Sequence, residues 1–184
     1  MSNSGLSALN RPRGQTGMTL IELLVTMAIV AILLGVGIPN FQSVSNSIRM
    51  KSEMFSFLSD INYARSEAIK RGQSVWICSS PDGLSCSDVG SGTSVWTAGR
   101  LIYVDTTNTG LVQTPPTTSI LRVAPALSHG DTFTGGTAIQ ITPTGYEFMT
   151  GLASIHDAAN DTSNRICFGI TSGLPNTVSG ASCP

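Results

Sequence analysis

Two sets of residues in this chain have the types and spacing to do chemistry: four cysteines, and one glutamate set in an apolar run. Cys78, Cys86, Cys167 and Cys183 all lie downstream of that run. An even cysteine count in an exported domain reads as two disulfides, and three pairings are open. Proximity favours Cys78–Cys86 and Cys167–Cys183, each closing a short loop worth roughly 2.5–3 kcal/mol in the chain-entropy account. Zinc also takes thiolates, but neither pair has C-x2-C spacing and no histidine stands beside either. No metal is expected there. The glutamate is Glu22, five residues into the run from Met18 to Ile38. A carboxylate costs some kcal/mol inside a membrane, so an acid in such a place carries a function unless a simpler reason is found.

Other chemistry is thinly represented. Catalysis needs a nucleophile, an activated base and a group to orient it. His129 and His156 are the only histidines, both in loop-like sequence, and His129-Gly-Asp131 reads as a turn. Asp105-Thr-Thr-Asn-Thr-Gly110 has the rhythm of a calcium loop. Thr107 and Thr109 stand where carboxylates or amides are wanted, however, and no distal glutamate closes the site. No glycine-rich phosphate loop is present. We expect no catalytic residue and no cofactor.

The elements that position these residues follow from the apolar pattern. Met18–Ile38 is about 21 residues, or roughly 31 Å as a helix, enough to cross a bilayer core. Arg11 and Arg13 precede it and no acid does, so the arginines stay cytoplasmic and the rest of the chain crosses. The run is too long for a signal-peptide core and no A-x-A-like site follows. A plain signal anchor is the simpler alternative, and Glu22 argues against it. Pro39, after Gly35 and Gly37, removes one helix hydrogen bond and marks a kink at the end of the span. Beyond it the helix turns amphipathic, with Phe41, Val44, Ile48, Met54, Phe57, Leu58, Ile61, Ala64 and Ala68 at helical spacing. Glu67 stands four residues before Arg71, Lys70 and Arg71 suit the last turn, and Gly72 suits the position after it. The spacing predicts one helix from Met18 to Arg71.

From Gln73 onward, strand and turn signals alternate. The expected strands are Val75–Ser79, Leu101–Val104, Ile120–Val123, Ala138–Thr142, Tyr146–Met149 and Arg165–Thr171. Trp76, Trp96, Tyr103 and Phe133 are expected in the core. Charged residues make up only 11 % of the chain, against about 25 % in ordinary soluble proteins. Three basic residues, Arg100, Arg122 and Arg165, face seven acids in this region, a net of about −4. That is the wrong sign for a surface that neutralises phosphates.

The string Gly17-Met-Thr-Leu-Ile-Glu22 followed by an apolar helix resembles the class III signal of type IV pilins and type II secretion pseudopilins. Ala64-Arg-Ser-Glu-Ala-Ile-Lys-Arg-Gly72, the segment from Cys78 to Cys86, and Ile120-Leu-Arg-Val123 resemble the GspH/FimT group of minor pilins. The resemblance implies an α+β, pilin-like lollipop: a leader over residues 1–17, a transmembrane helix over 18–38, an amphipathic helix over 39–72, and a disulfide-stapled antiparallel β head over 73–184. It implies that a prepilin peptidase cuts after Gly17 and methylates Met18. It also implies that Glu22 pairs with a neighbouring subunit's terminal amine, and that Pro39 marks the segment that stretches on assembly. The implied partners are the inner membrane and other pilins or pseudopilins, with the head in the periplasm. Its implied role is to prime or cap a pilus; the alternative is an H-type minor pseudopilin of type II secretion. Some members of the group bind DNA through a G-R-x-R stretch after the last strand. The counterpart here, Gly173-Leu-Pro-Asn176, has neither arginine, so DNA is not an expected partner.

Overall fold

The computed structural model describes residues 17–87, 89, 92–127, 129–158, 165–171 and 174–179; of these, 36–40, 43, 171, 174–176 and 179 are described by backbone alone. It divides into two units, residues 1–42 and 43–184. One helix, α1 (Leu20–Arg71, 52 residues), belongs to both. It starts two residues later than the spacing predicts, and it runs through Pro39 without a break. Its end follows the sequence. Arg71 Nε lies 2.6 Å from Glu67 Oε2 and Lys70 Nζ lies 3.6 Å from Oε1. Gly72 then takes φ +64°, a left-handed conformation that terminates a helix at little cost only for glycine.

Within the first unit the described side chains from Leu20 to Gly35 are all exposed. Among the described residues no helix is long and apolar enough to cross a membrane. The span expected over 18–38 includes residues 36–38, whose side chains lie outside the described ones.

Among the described residues of the second unit, nine strands form two antiparallel sheets. One has five strands in the order β3 (Ile120–Ala124), β2 (Arg100–Val104), β1 (Val75–Ser79), β5 (Ile139–Ile141), β6 (Glu147–Phe148). The other has four, in the order β4 (Thr132–Gly135), β7 (Ala153–His156), β8 (Ile166–Thr171), β9 (Leu174–Ser179). Strand β1 is central, pairing with β2 over five positions from Val75↔Val104 to Ser79↔Arg100 and with β5 over three. Alternation decides the two faces of the larger sheet. Val75, Ile77, Ile102 and Ile141 join Met50, Met54, Phe57, Ile61, Ala64 and Ala68 of α1 in the main core. Cys78, Leu101 and Tyr103 join a second cluster on the other side. Phe57 sits at the centre of the main core, its ring 5.2, 4.9 and 5.0 Å from those of Trp96, Phe133 and Phe168 in edge-on contacts. Such geometry adds about 0.5–1.5 kcal/mol per pair beyond area burial.

The expected strands are present, with no end shifted by more than one residue. Three others, β4, β7 and β9, were not expected. The second sheet is built largely from these, and each carries residues that are poor strand formers by type: Gly135 in β4, Ala153 in β7, Pro175 and Asn176 in β9. Tertiary pairing overrides the local preference, as in the register Thr132↔His156, Phe133↔Ile155. Two sequence readings are corrected accordingly. His156 lies in a strand rather than a loop, and Leu174–Asn176 lie inside β9, opposite Thr171, Ile170 and Gly169, rather than after the last strand. The amphipathic stripe also differs: Phe41, Val44 and Ile48 are exposed, and burial begins at Met50.

Candidate functional site

The N-terminal segment starts non-helical over Gly17–Thr19. Thr19 caps the helix. Its backbone oxygen accepts from Glu22 N–H at 3.1 Å and Leu23 N–H at 3.2 Å, and its Oγ1 accepts from Glu22 N–H at 3.3 Å. Glu22 is the acid of the first turn. Thr19 and Glu22 thus have the T-x-x-E spacing of a capping box, with the carboxylate where the helix dipole favours negative charge. That pairing was readable from the sequence and was missed there, because Glu22 was considered only as an acid among apolar neighbours. Among the described residues a Cβ at Gly17 would meet nothing within 4 Å, so no described neighbour demands glycine there. From Leu20 (80 % exposed) to Leu34, large apolar side chains project on every side. A helix apolar all round is a helix built to be buried by something other than its own chain.

The head holds its half of α1 differently, through ion pairs that bridge long sequence distances. Arg49 makes two bonds to Asp131, Nε to Oδ2 and Nη2 to Oδ1, both 2.7 Å. That contact, with Asp157 and Glu53 nearby, raises the Arg49 pKa above its ordinary value. Asn46 reaches Asp157 Oδ2 at 3.5 Å. Asp60, 2 % exposed, takes Arg100 Nη2 at 2.7 Å on one oxygen and Arg122 Nη1 at 3.1 Å on the other. The Arg100 guanidinium also lies 5.2 Å from the Phe57 ring centre, and that of Arg122 lies 5.7 Å from the Tyr63 ring. Arg65 pairs with Glu147 and donates from Nε to Gly145 O at 3.2 Å. Burial pushes the Glu147 carboxyl up, and the Arg65 charge opposes that shift without cancelling it.

These contacts bear on the basic residues of the head. Arg100 and Arg122 share one carboxylate that belongs to α1, outside the stretch whose charge was counted from Gln73. Arg100 itself is buried. Two of the three arginines that would have to meet phosphates are therefore held by Asp60.

Cys78 and Cys86 form a disulfide with Cα atoms 5.5 Å apart. The loop they close is organised by Asp82, whose Oδ1 accepts from the N–H groups of Leu84 at 2.9 Å and Ser85 at 2.8 Å. Hydrogen bonding from the Ser85 hydroxyl and these two amides holds the Asp82 carboxyl well below its ordinary range. Cys167 is disulfide-bonded; Cys183, its expected partner, lies outside the described residues. The Asp105 loop is closed by its own backbone, with Thr109 N–H at 3.0 Å on Oδ1 and Gly110 N–H at 2.8 Å on Oδ2. Among the described residues no group of three acidic, histidine or cysteine side chains is placed to hold a metal ion. His129 occupies the turn expected of it, at φ +65°. His156 Nδ1 lies 3.1 Å from Asp157 O.

Comparison with known proteins fits this division of the molecule. The prokaryotic N-terminal methylation motif matches residues 12–38, which include Gly17, Met18 and Glu22. The family model described as type II transport protein GspH matches residues 56–174. That is well over half of the 184 residues, from the turn of α1 that carries Phe57 to the first residue of β9. No curated protein and no solved structure matches the chain. Such a methylation motif marks a membrane-anchored subunit processed by a prepilin peptidase and assembled with other pilins or pseudopilins, and the GspH-type family is structural rather than enzymatic. The chain belongs to the GspH family of minor pilins and pseudopilins.

Proposed function

We propose that this chain is a minor type IV pilin that primes or caps a pilus. Its peptidase cuts between Gly17 and Met18 and methylates the Met18 amine. The helix then leaves the inner membrane for the filament core, and the periplasmic head contacts partner subunits. The observation that carries this reading is the apolar helix from Leu20 to Leu34, uncovered on all sides and starting at a cap two residues after the cut. Within the head's half of α1, Ile48 and Phe55 are exposed seven residues apart. Seven-residue spacing suits packing against another helix.

Glu22 serves this assembly as a charge partner. A neighbouring subunit's Met18 ammonium offsets the desolvation that a lone carboxylate suffers among apolar helices. Glu22→Ala should therefore insert and fold but be depleted from sheared filament fractions, and Glu22→Asp should fall between. Normal incorporation of the Ala variant would refute the pairing.

The H-type minor pseudopilin of type II secretion is the second reading, favoured by the description of the matched family. Deleting the gene separates the two. Loss of surface pili with normal protein secretion supports the pilus, and the reverse supports secretion. DNA capture ranks below both because Asp60 holds Arg100 and Arg122.

A further inference from the structure

We infer that Thr19 is a positioning residue for leader removal, because it stops the helix two residues short of the bond to be cut. This rests on the processing reading above and assigns a role that the cut site itself does not. Hydrolysis adds water across the Gly17–Met18 bond, giving a Gly17 carboxylate and a free Met18 amine. The water attacks the Gly17 carbonyl carbon, and the carbonyl oxygen, which gains charge, has to be free to accept donors from the enzyme. An N-cap residue's carbonyl already accepts the first helical hydrogen bond. In this chain the first carbonyl so engaged is that of Thr19, which takes the N–H groups of Glu22 and Leu23. Gly17 and Met18 precede it and are non-helical.

The next good cap upstream is Gly17 itself, since glycine ranks beside threonine at that position. Met18, which would then enter the helix, is a strong helix former. With the Thr19 hydroxyl gone, the helix gains a competing start at Gly17. There the Gly17 carbonyl, the atom to be attacked, would accept the Ile21 N–H.

Full-length chain expressed with active prepilin peptidase tests this by pulse-chase, following leader loss in membrane-inserted precursor by mass spectrometry. Thr19→Val keeps the β-branched shape and loses the acceptor; Thr19→Ser and Thr19→Asn keep an acceptor and change the shape. Val is expected to slow cleavage about fivefold, with Ser and Asn within about twofold of the parent. An intact Cys78–Cys86 disulfide in each variant checks that the head has folded. Parent-like cleavage of the Val variant would overturn the inference. So would an Asn variant as slow as Val, which would mean that the peptidase reads threonine's shape. Retention of the leader by the unmodified chain would instead refute the processing reading, and this inference with it.

Discussion

Residues 20–35 and 46–71 are parts of one helix with opposite relations to the rest of the chain. In the first part every described side chain is exposed, although almost all are apolar. In the second, apolar side chains are sorted, with Met50, Met54, Phe57 and Ile61 buried and Ile48, Phe55 and Ile69 left outside. Charged residues do the reverse of what charge alone suggests, since Asp60, Arg100 and Glu147 are buried in the second part's surroundings. The difference teaches that the two parts look to different surroundings for burial: the first finds no cover among the described residues of its own chain, while the second is specified by the strands packed on it.

The contrast breaks most sharply at Phe57. Phe57→Ala empties the centre of the aromatic cluster and should destabilise the head by about 4 kcal/mol in thermal melts. Leu24→Ala, on the uncovered part of the same helix, should move that melt by no more than about 0.5 kcal/mol. Equal losses would mean that the first part of the helix supports the head. Next comes Asp60→Ala, which leaves Arg100 buried without its carboxylate and should cost about 3 kcal/mol. Asp60 and Arg100 replaced together by apolar residues should recover much of that loss, and failure to recover would assign the cost to packing.

Smaller effects sharpen the head's side of the comparison. Cys86→Ser should cost about 2–3 kcal/mol, the loop-closure value for so short a loop, in chemical denaturation. Burial pushes the Tyr103 phenol up to about 12, with the Asp105 charge adding to the shift and the Val112 amide opposing it. Because the folded chain then holds that proton more tightly than the unfolded chain does, stability should fall as pH rises from about 10 to about 12. The loss should total on the order of 2 kcal/mol, and Tyr103→Phe should flatten that part of the pH profile. Least of all is expected with nucleic acid. The purified chain should bind duplex DNA no better than about millimolar at low salt, with little salt dependence. Micromolar binding lost on Arg122→Ala would restore DNA capture as a function.

What could be read from the sequence was whatever depends on near neighbours. The helix end at Arg71 was legible because Glu67, Lys70, Arg71 and Gly72 all lie within one turn. Strand β1 was legible to the residue, and the Cys78–Cys86 bond followed from proximity. The Thr19 cap was equally local but was passed over in favour of the charge on Glu22. The second sheet was not legible, since Ala153–His156 and Leu174–Ser179 become strands only by pairing with β8. Nor were the long-range ion pairs. Arg100 and Asp60 are 40 positions apart, and no local pattern links them, so Arg100 was counted as a free cation of the head. Long-range pairing decides such residues, and composition hides it.

The short link after α1 has a mechanical consequence. Only Gly72, Gln73 and Ser74 separate the helix from β1, and the Asp105 N–H holds Ser74 O at 2.8 Å. A pull along the head's half of α1 therefore arrives at the middle strand of the larger sheet, not at an edge. Because β1 is bonded to β2 on one flank and β5 on the other, tension is shared among many ladder bonds at once. Edge strands peel one bond at a time under load. A filament subunit that hands its tension to a central strand is built to stay folded while being stretched.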